Sequence, residues 1–271
     1  MTSASSLAQV VAALERRYPP SSAEPWDAVG LVCGDPDAPV RRILWAVDPV
    51  ESVADEALAS DVDLIVTHHP LFLSGVHSVA ATTAKGRLVH RLIRSGIALY
   101  CAHTNADVAD PGVSDALAAT LGLGHISPLP DTSLGRMGDL DAEESLADFA
   151  ARVAASLPST AHGVRVAGDP TRPVRRVAVC GGSGDFLLGP ATVAGADVLV
   201  TADLKHHRAL EHLEDGGCAI VDVAHWASEW PWLAEAARLL AEDLAAEGTT
   251  VEGLVSARPT DPWAMTLRGA L

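Results

Sequence analysis

Short apolar runs and amphipathic stretches take turns along this chain. Ser6 is placed to cap a first helix that carries Leu7, Val10, Val11 and Leu14 on one face. The run Ile43-Leu44-Trp45-Ala46-Val47 follows, then a helix around 51–60 and the run Val62-Asp63-Leu64-Ile65-Val66-Thr67. A helix around 82–95 leads into Ile97-Ala98-Leu99-Tyr100-Cys101-Ala102, and another starts after Pro111 and ends near Gly122. The second half repeats this order. A helix near 143–156 precedes apolar runs at 164–166, 177–180, 198–201 and 219–223, a long helix near 227–246 and a last strand near 249–255. Apolar runs too continuous for one-sided strands, separated by helices, predict an α/β fold with buried, largely parallel or mixed sheets.

The two halves match in detail. RRILW at 41–45 parallels RRVAV at 175–179, and VDLIVT at 62–67 parallels ADVLVT at 196–201; both offsets are 134 residues (175 − 41 and 196 − 62). ALYCAHT, with His103, loosely parallels AIVDVAH, with His225, at an offset of 122. Generic strand composition can produce such similarity, but its order favours two related α/β lobes, residues 1–126 and 127–271. They are joined around 125–140, where Pro128, Pro130 and Gly135 cluster.

Composition narrows the function classes. The 271 residues are 48% hydrophobic and 20% charged, an ordinary globular balance. A net charge of −16 opposes nucleic-acid backbones and anionic membranes as partners. It leaves room for a single nucleotide, because a bound metal reverses the local field. No run is long and apolar enough to predict a membrane span, and the N-terminus reads as a helix, not a signal peptide. Cys33, Cys101, Cys180 and Cys218 are scattered without a C-x-x-C, as expected of reduced thiols in a cytoplasmic protein.

Polar chemistry sits just after the predicted strands, where open α/β sheets build their sites. Thr67-His68-His69-Pro70 gives two adjacent imidazoles that diverge in extended backbone and suit a pair of metals; the alternative is a pair of surface histidines in a turn. His103-Thr104-Asn105-Ala106-Asp107 offers an imidazole and a hard carboxylate, or an Asx turn with a helix cap. His225 and Glu229 lie four apart on a helix start, one face of which can serve an ion or merely an ion pair. Asp203-Leu204-Lys205-His206-His207 falls where the second lobe repeats the first histidine pair; His207 can contact substrate and Lys205 an anion, whereas His206 reads as solvated helix start. His77, His90, His125, His162 and His212 read as structural or surface residues. Trp26-Asp27-Ala28-Val29-Gly30-Leu31 reads as an irregular segment near the cleft, or a plain turn. Gly181-Gly182-Ser183-Gly184 can cradle a phosphate but fits a tight strand-to-helix turn better, and no Walker-type loop is present.

The segments WDAVGL, DLIVTHHPLF, HTNAD, ADLKHH and HWASE, in this order, resemble the GTP cyclohydrolase I type 2 homologues, also called Nif-three-like dinuclear-metal hexameric proteins. Ala202 departs from the glycine expected there, and the chain has no room for the domain that some members insert between the lobes. The resemblance implies a homohexamer of two-lobed subunits with two divalent metal ions (Zn, Mn, Fe, Co or Ni) in a cleft between the lobes. His68, His69, Asp107, His225 and Glu229 are then the ligands, Glu229 bridging, and His103 and His207 line the site as proton carriers. It also implies a metal-dependent hydrolase that opens the GTP ring with metal-bound hydroxide. Two alternatives stand beside it: a hydrolase of another small substrate, such as a phosphoester or amide, and a non-enzymatic metal-binding scaffold or regulatory protein. The D-x-H and G-N-H runs of metallophosphoesterases are missing.

Overall fold

A computed structural model describes residues 4–267. It is a mixed α/β chain that divides into two compact units. The first comprises residues 1–109 and 233–260, the second 110–232 and 261–271. The two consecutive lobes expected from the sequence, 1–126 and 127–271, therefore differ from the compact units, because a late segment returns to the first. The strand Glu252–Val255 pairs in parallel with Arg42–Ala46.

The first unit is built on a five-stranded sheet ordered Glu252–Val255, Arg42–Ala46, Leu64–Thr67, Ala98–Cys101 and Gly30–Cys33. The first four run parallel, and Gly30–Cys33 closes the edge antiparallel to Ala98–Cys101. Every residue of Leu64–Thr67 and Ala98–Cys101 is buried, which explains their uninterrupted apolar sequence. Helices Glu51–Ala59 and Ala84–Arg94 pack Val53, Ala57, Leu88 and Leu92 against Leu44, Ile65 and Leu99. Ser6 does cap helix Leu7–Arg17, in a reciprocal box with Gln9, and that helix buries Leu7, Val10 and Leu14.

The second unit holds a six-stranded sheet ordered Gly124–Pro128, Arg136–Ser145, Pro173–Ser183, Val198–Ala202, Ala219–Val223 and Arg165–Ala167. Its three central members, Pro173–Ser183, Val198–Ala202 and Ala219–Val223, are parallel and the flanking ones antiparallel. Alternate residues feed two cores. Val177, Val179, Val198 and Val200 meet Leu117, Phe149 and Val153 on one face, while Ala178, Leu199 and Ile220 meet Leu187, Leu188 and Ala191 on the other. The segment 125–140, expected as a linker, belongs to an antiparallel hairpin of this sheet. Its Pro and Gly residues shape the closing loop: Asp131 and Gly135 take positive φ (59° and 81°), and Leu129 N donates to Gly135 O at 3.3 Å.

The two units share strand wiring. Ile43 faces Leu64 in one and Val177 faces Val198 in the other, again 134 residues on. One carboxylate oxygen of Asp63 accepts the amides of Arg41 (2.7 Å) and Arg42 (3.0 Å). Asp197 does the same for Arg175 (2.9 Å) and Arg176 (2.8 Å). The repeat read from sequence is thus a repeat of hydrogen-bonded structure. Asp197→Ala leaves two amides without their acceptor and is expected to cost about 1–2 kcal/mol, read as a lower urea midpoint with unchanged slope. Among the described residues no helix is long and apolar enough to cross a membrane.

Candidate metal centre

In the first unit the candidate residues follow the carboxyl ends of two neighbouring parallel strands. His68 and His69 continue from Leu64–Thr67, and His103 lies two residues past Ala98–Cys101. The backbone of His68 and His69 still donates to Ala46 O and Val47 O, so the adjacent strand fixes both Cα positions. The three rings form one cluster, with centroids 5.1–5.6 Å apart and ligand nitrogens all within 4.8 Å of one another. Asp107 enters from the single helical turn Thr104–Asp107, its Oδ1 3.6 Å from His68 Nε2. That turn is pinned by Asn105, whose Oδ1 accepts the His103 amide (2.9 Å) and whose Nδ2 donates to Tyr18 O (2.7 Å). Asn105 is therefore structural, and Asp107 is the carboxylate that the turn presents.

Each imidazole of the cluster is held at Nδ1 by an acceptor. His68 Nδ1 meets Ala102 O at 3.0 Å, His69 Nδ1 meets Asp48 Oδ1 at 2.7 Å, and His103 Nδ1 meets Asp27 Oδ1 at 2.9 Å. A carbonyl or carboxylate oxygen only accepts, so Nδ1 carries the hydrogen and Nε2 keeps a lone pair. This backing sets both tautomer and ring direction, as in carboxylate-supported metal-binding histidines.

Asp27 and Asp48 were not singled out individually by spacing, although Asp27 lies within the WDAVGL segment. The Asp27 side chain is fully buried and also accepts from Thr104 N (3.0 Å) and the Thr104 hydroxyl. Burial raises its pKa, but the Thr104 and His103 hydrogen bonds outweigh that and hold it below the usual carboxylate range. Burial, then the neighbouring His68, lowers the His103 pKa against the opposing pull of Asp27. Both shifts have one sign: the unfolded chain binds more protons in the affected ranges, so acid destabilises the fold. In metal-free protein we expect the urea midpoint to fall as pH drops from about 6.5, the ordinary histidine value, and again below about 3.9, the ordinary aspartate value. His103→Gln is expected to remove part of the first decline in a pH series of urea melts.

In the second unit His225 and Glu229 open helix His225–Ala246 and place His225 Nε2 2.8 Å from Glu229 Oε1. Asp203, at φ 58° just past Val198–Ala202, holds His225 Nδ1 at 2.7 Å. His225 hydrogen-bonds Asp203, and this outweighs burial to keep the Asp203 carboxyl below its ordinary value. The run Gly181-Gly182-Ser183-Gly184 forms the strand-to-helix turn expected of it, between Pro173–Ser183 and Asp185–Leu187, and it has a further role. The strand Pro173–Ser183 is bulged there, and Gly182 N donates to Ser228 Oγ at 2.8 Å. Gly182 has φ 71°, and a Cβ on it would stand 2.5 Å from Glu229 Oε1 and 3.3 Å from His225 Nε2. The position clears room for the carboxylate. His207 is exposed in helix His206–Glu214 and meets the His206 ring edge-on at 5.1 Å. His162 and His212 are structural, bonded to Asp222 Oδ2 (3.2 Å) and Cys218 O (3.0 Å).

Two wired-alike α/β units that present histidine–carboxylate groups at strand ends define a class of protein whose groups can hold metal ions. The family described as Duf34/NIF3 (NGG1p interacting factor 3) matches residues 5–262, and the chain belongs to it. The GTP cyclohydrolase 1 type 2 homolog of Streptomyces coelicolor is 51% identical over 265 residues, covering 95% of this chain and 93% of that protein. That of Mycobacterium leprae is 37% identical over 374 aligned positions, covering 97% of this chain and 96% of its own length. Among solved structures, a Bacillus cereus protein related to NIF3 superposes with a TM-score of 0.89 at 25% identity, covering 97% of this chain and all of its own. The Staphylococcus aureus hypothetical protein SA1388 gives 0.89 at 30% identity, covering 96% and 99%.

Proposed function

We propose that this protein is a hydrolase of a small molecule that works with two divalent metal ions per chain. The donors are His68, His69, His103 and Asp107 in the first unit and His225 and Glu229 in the second. The observation that carries the reading is the tethering of each imidazole at Nδ1, which leaves Nε2 as a fixed donor. The donor chemistry fits a cation. His225 Nε2 and Glu229 Oε1 stand 2.8 Å apart, an arrangement that an ion or a proton must stabilise once Asp203 has engaged Nδ1. Mixed imidazole and carboxylate donors suit Zn, Mn, Fe, Co or Ni. Such ions, when bound, supply Lewis acidity and make water a nucleophile at neutral pH. The chain's own part is to fix the donors: Asp27, Asp48 and Asp203 hold three rings, and Asn105 holds the turn that carries Asp107. In this reading His103 is a donor backed by Asp27 instead of a proton carrier.

The name of the relatives makes GTP the first substrate to try. The test is metal analysis of the purified chain together with formate release from GTP and turnover of a panel of phosphoesters and amides. We expect about two ions per chain, and fewer in Asp107→Ala with loss of turnover. Absence of stoichiometric metal after loading would overturn the proposal; metal without formate release would exclude GTP ring opening alone.

A further inference from the structure

The first unit carries a cavity of about 420 Å³ whose lining includes Asp48, Val50, His69, Leu71, Lys85 and Leu88. That volume is in the range of small-ligand sites. One wall is therefore the same His69–Asp48 pair that belongs to the cluster described above. Most of the remaining wall is aliphatic or proline, which favours a compact apolar body over a highly charged one. The carboxylates at its edge are engaged: Asp48 with His69 and Thr260, and Glu51 with Arg91 (3.0 Å), which also pairs with Asp55.

Lys85 is the exception. The chain contains two lysines, Lys85 and Lys205. Many of its arginines sit in ion pairs, yet among the described residues no carboxylate pairs with Lys85. Its ammonium instead lies 5.8 Å from the centroid of the Phe72 ring, which steadies a cation without neutralising it. In a chain of net charge −16, this leaves a positive charge at the rim of an apolar cavity. An ammonium of this kind binds phosphate as a point charge.

From this geometry we infer that the cavity is the substrate subsite of the first unit, and that it takes a small phosphomonoester with a compact apolar body. Lys85 binds the phosphate and the aliphatic wall takes the body. The inference deepens the hydrolase reading and rests on it for the word substrate; the binding itself is measurable without turnover.

The test uses the full, metal-loaded chain with its lysines reductively dimethylated with ¹³C, a change that keeps their charge. Lys205→Arg and Lys85→Arg assign the two lysine signals and set them apart from that of the N-terminal amine, which is methylated as well. We expect phenyl phosphate to shift the Lys85 methyl signal saturably and to leave Lys205 unmoved, with phenol giving no such shift and inorganic phosphate binding more weakly. In calorimetry Lys85→Met should weaken phenyl phosphate by about tenfold, the worth of one charged hydrogen bond, with metal content unchanged. An unmoved Lys85 signal, an unaffected Lys85→Met variant, or equal affinity for inorganic phosphate would overturn the inference. Metal content is measured on the same samples: metal without a Lys85 response sinks this inference alone, and a Lys85 response without metal sinks the metal reading alone.

Discussion

Asp27→Ala lowers the stability of the first unit by about 3 kcal/mol and weakens metal binding by about 10–100-fold. The first figure follows from what the side chain holds. One buried carboxylate accepts from His103 Nδ1, Thr104 N and the Thr104 hydroxyl, and its own oxygen caps Ala28 N at 2.7 Å. Alanine leaves those donors desolvated and without an acceptor, each costing about 1–3 kcal/mol before relaxation and water entry reduce the sum. The second figure is the usual worth of a group that orients a metal-binding histidine. Asp27→Asn separates the two effects, because its carbonyl still accepts one hydrogen bond but no longer balances charge. Urea melts of metal-free protein and competition titrations with a metal indicator check both. A variant with wild-type midpoint and affinity would remove Asp27 from the centre.

Gly182→Ala is the second large effect, and its cause is local. The residue sits at φ 71°, where a Cβ costs about 1 kcal/mol. The added carbon would also press on Glu229 Oε1 at 2.5 Å, which no unshifted side chain tolerates. Glu229 must rotate away from His225, so the donor pair is lost while the sheet survives. We expect about 1–2 kcal/mol lower stability, little change in circular dichroism, and at least about tenfold weaker binding of one ion per chain. Gly189→Ala is the control. It lies within helix Leu188–Val193 with open space around its Cβ position, and there alanine is expected to stabilise slightly.

These two positions mark how far the sequence can be read. The buried strands were legible because parallel sheets covered on both faces write themselves as unbroken apolar runs, as at Leu64–Thr67 and Val198–Ala202. The strand-end histidines were legible because polar residues directly after such runs stand out. Gly30–Cys33 and the hairpin at 124–145 were not, since edge strands need no continuous burial and the Pro–Gly loop signal reads equally as a linker. Asp27 and Asp48 escaped individual notice for another reason. They lie 76 and 21 residues from the histidines they hold, and only pairing in three dimensions brings them there. One available clue was Asp27 beside Trp26, whose ring meets His103 edge-on at 6.0 Å.

The return of Glu252–Val255 to the first sheet bears on how the protein comes into being. All six strands of the second sheet lie between residues 124 and 223, so they are synthesised before residue 252 is added. Synthesis from the N-terminus thus delivers every strand of the second sheet before the last strand of the first, and the edge of Arg42–Ala46 stays bare until Glu252–Val255 follows.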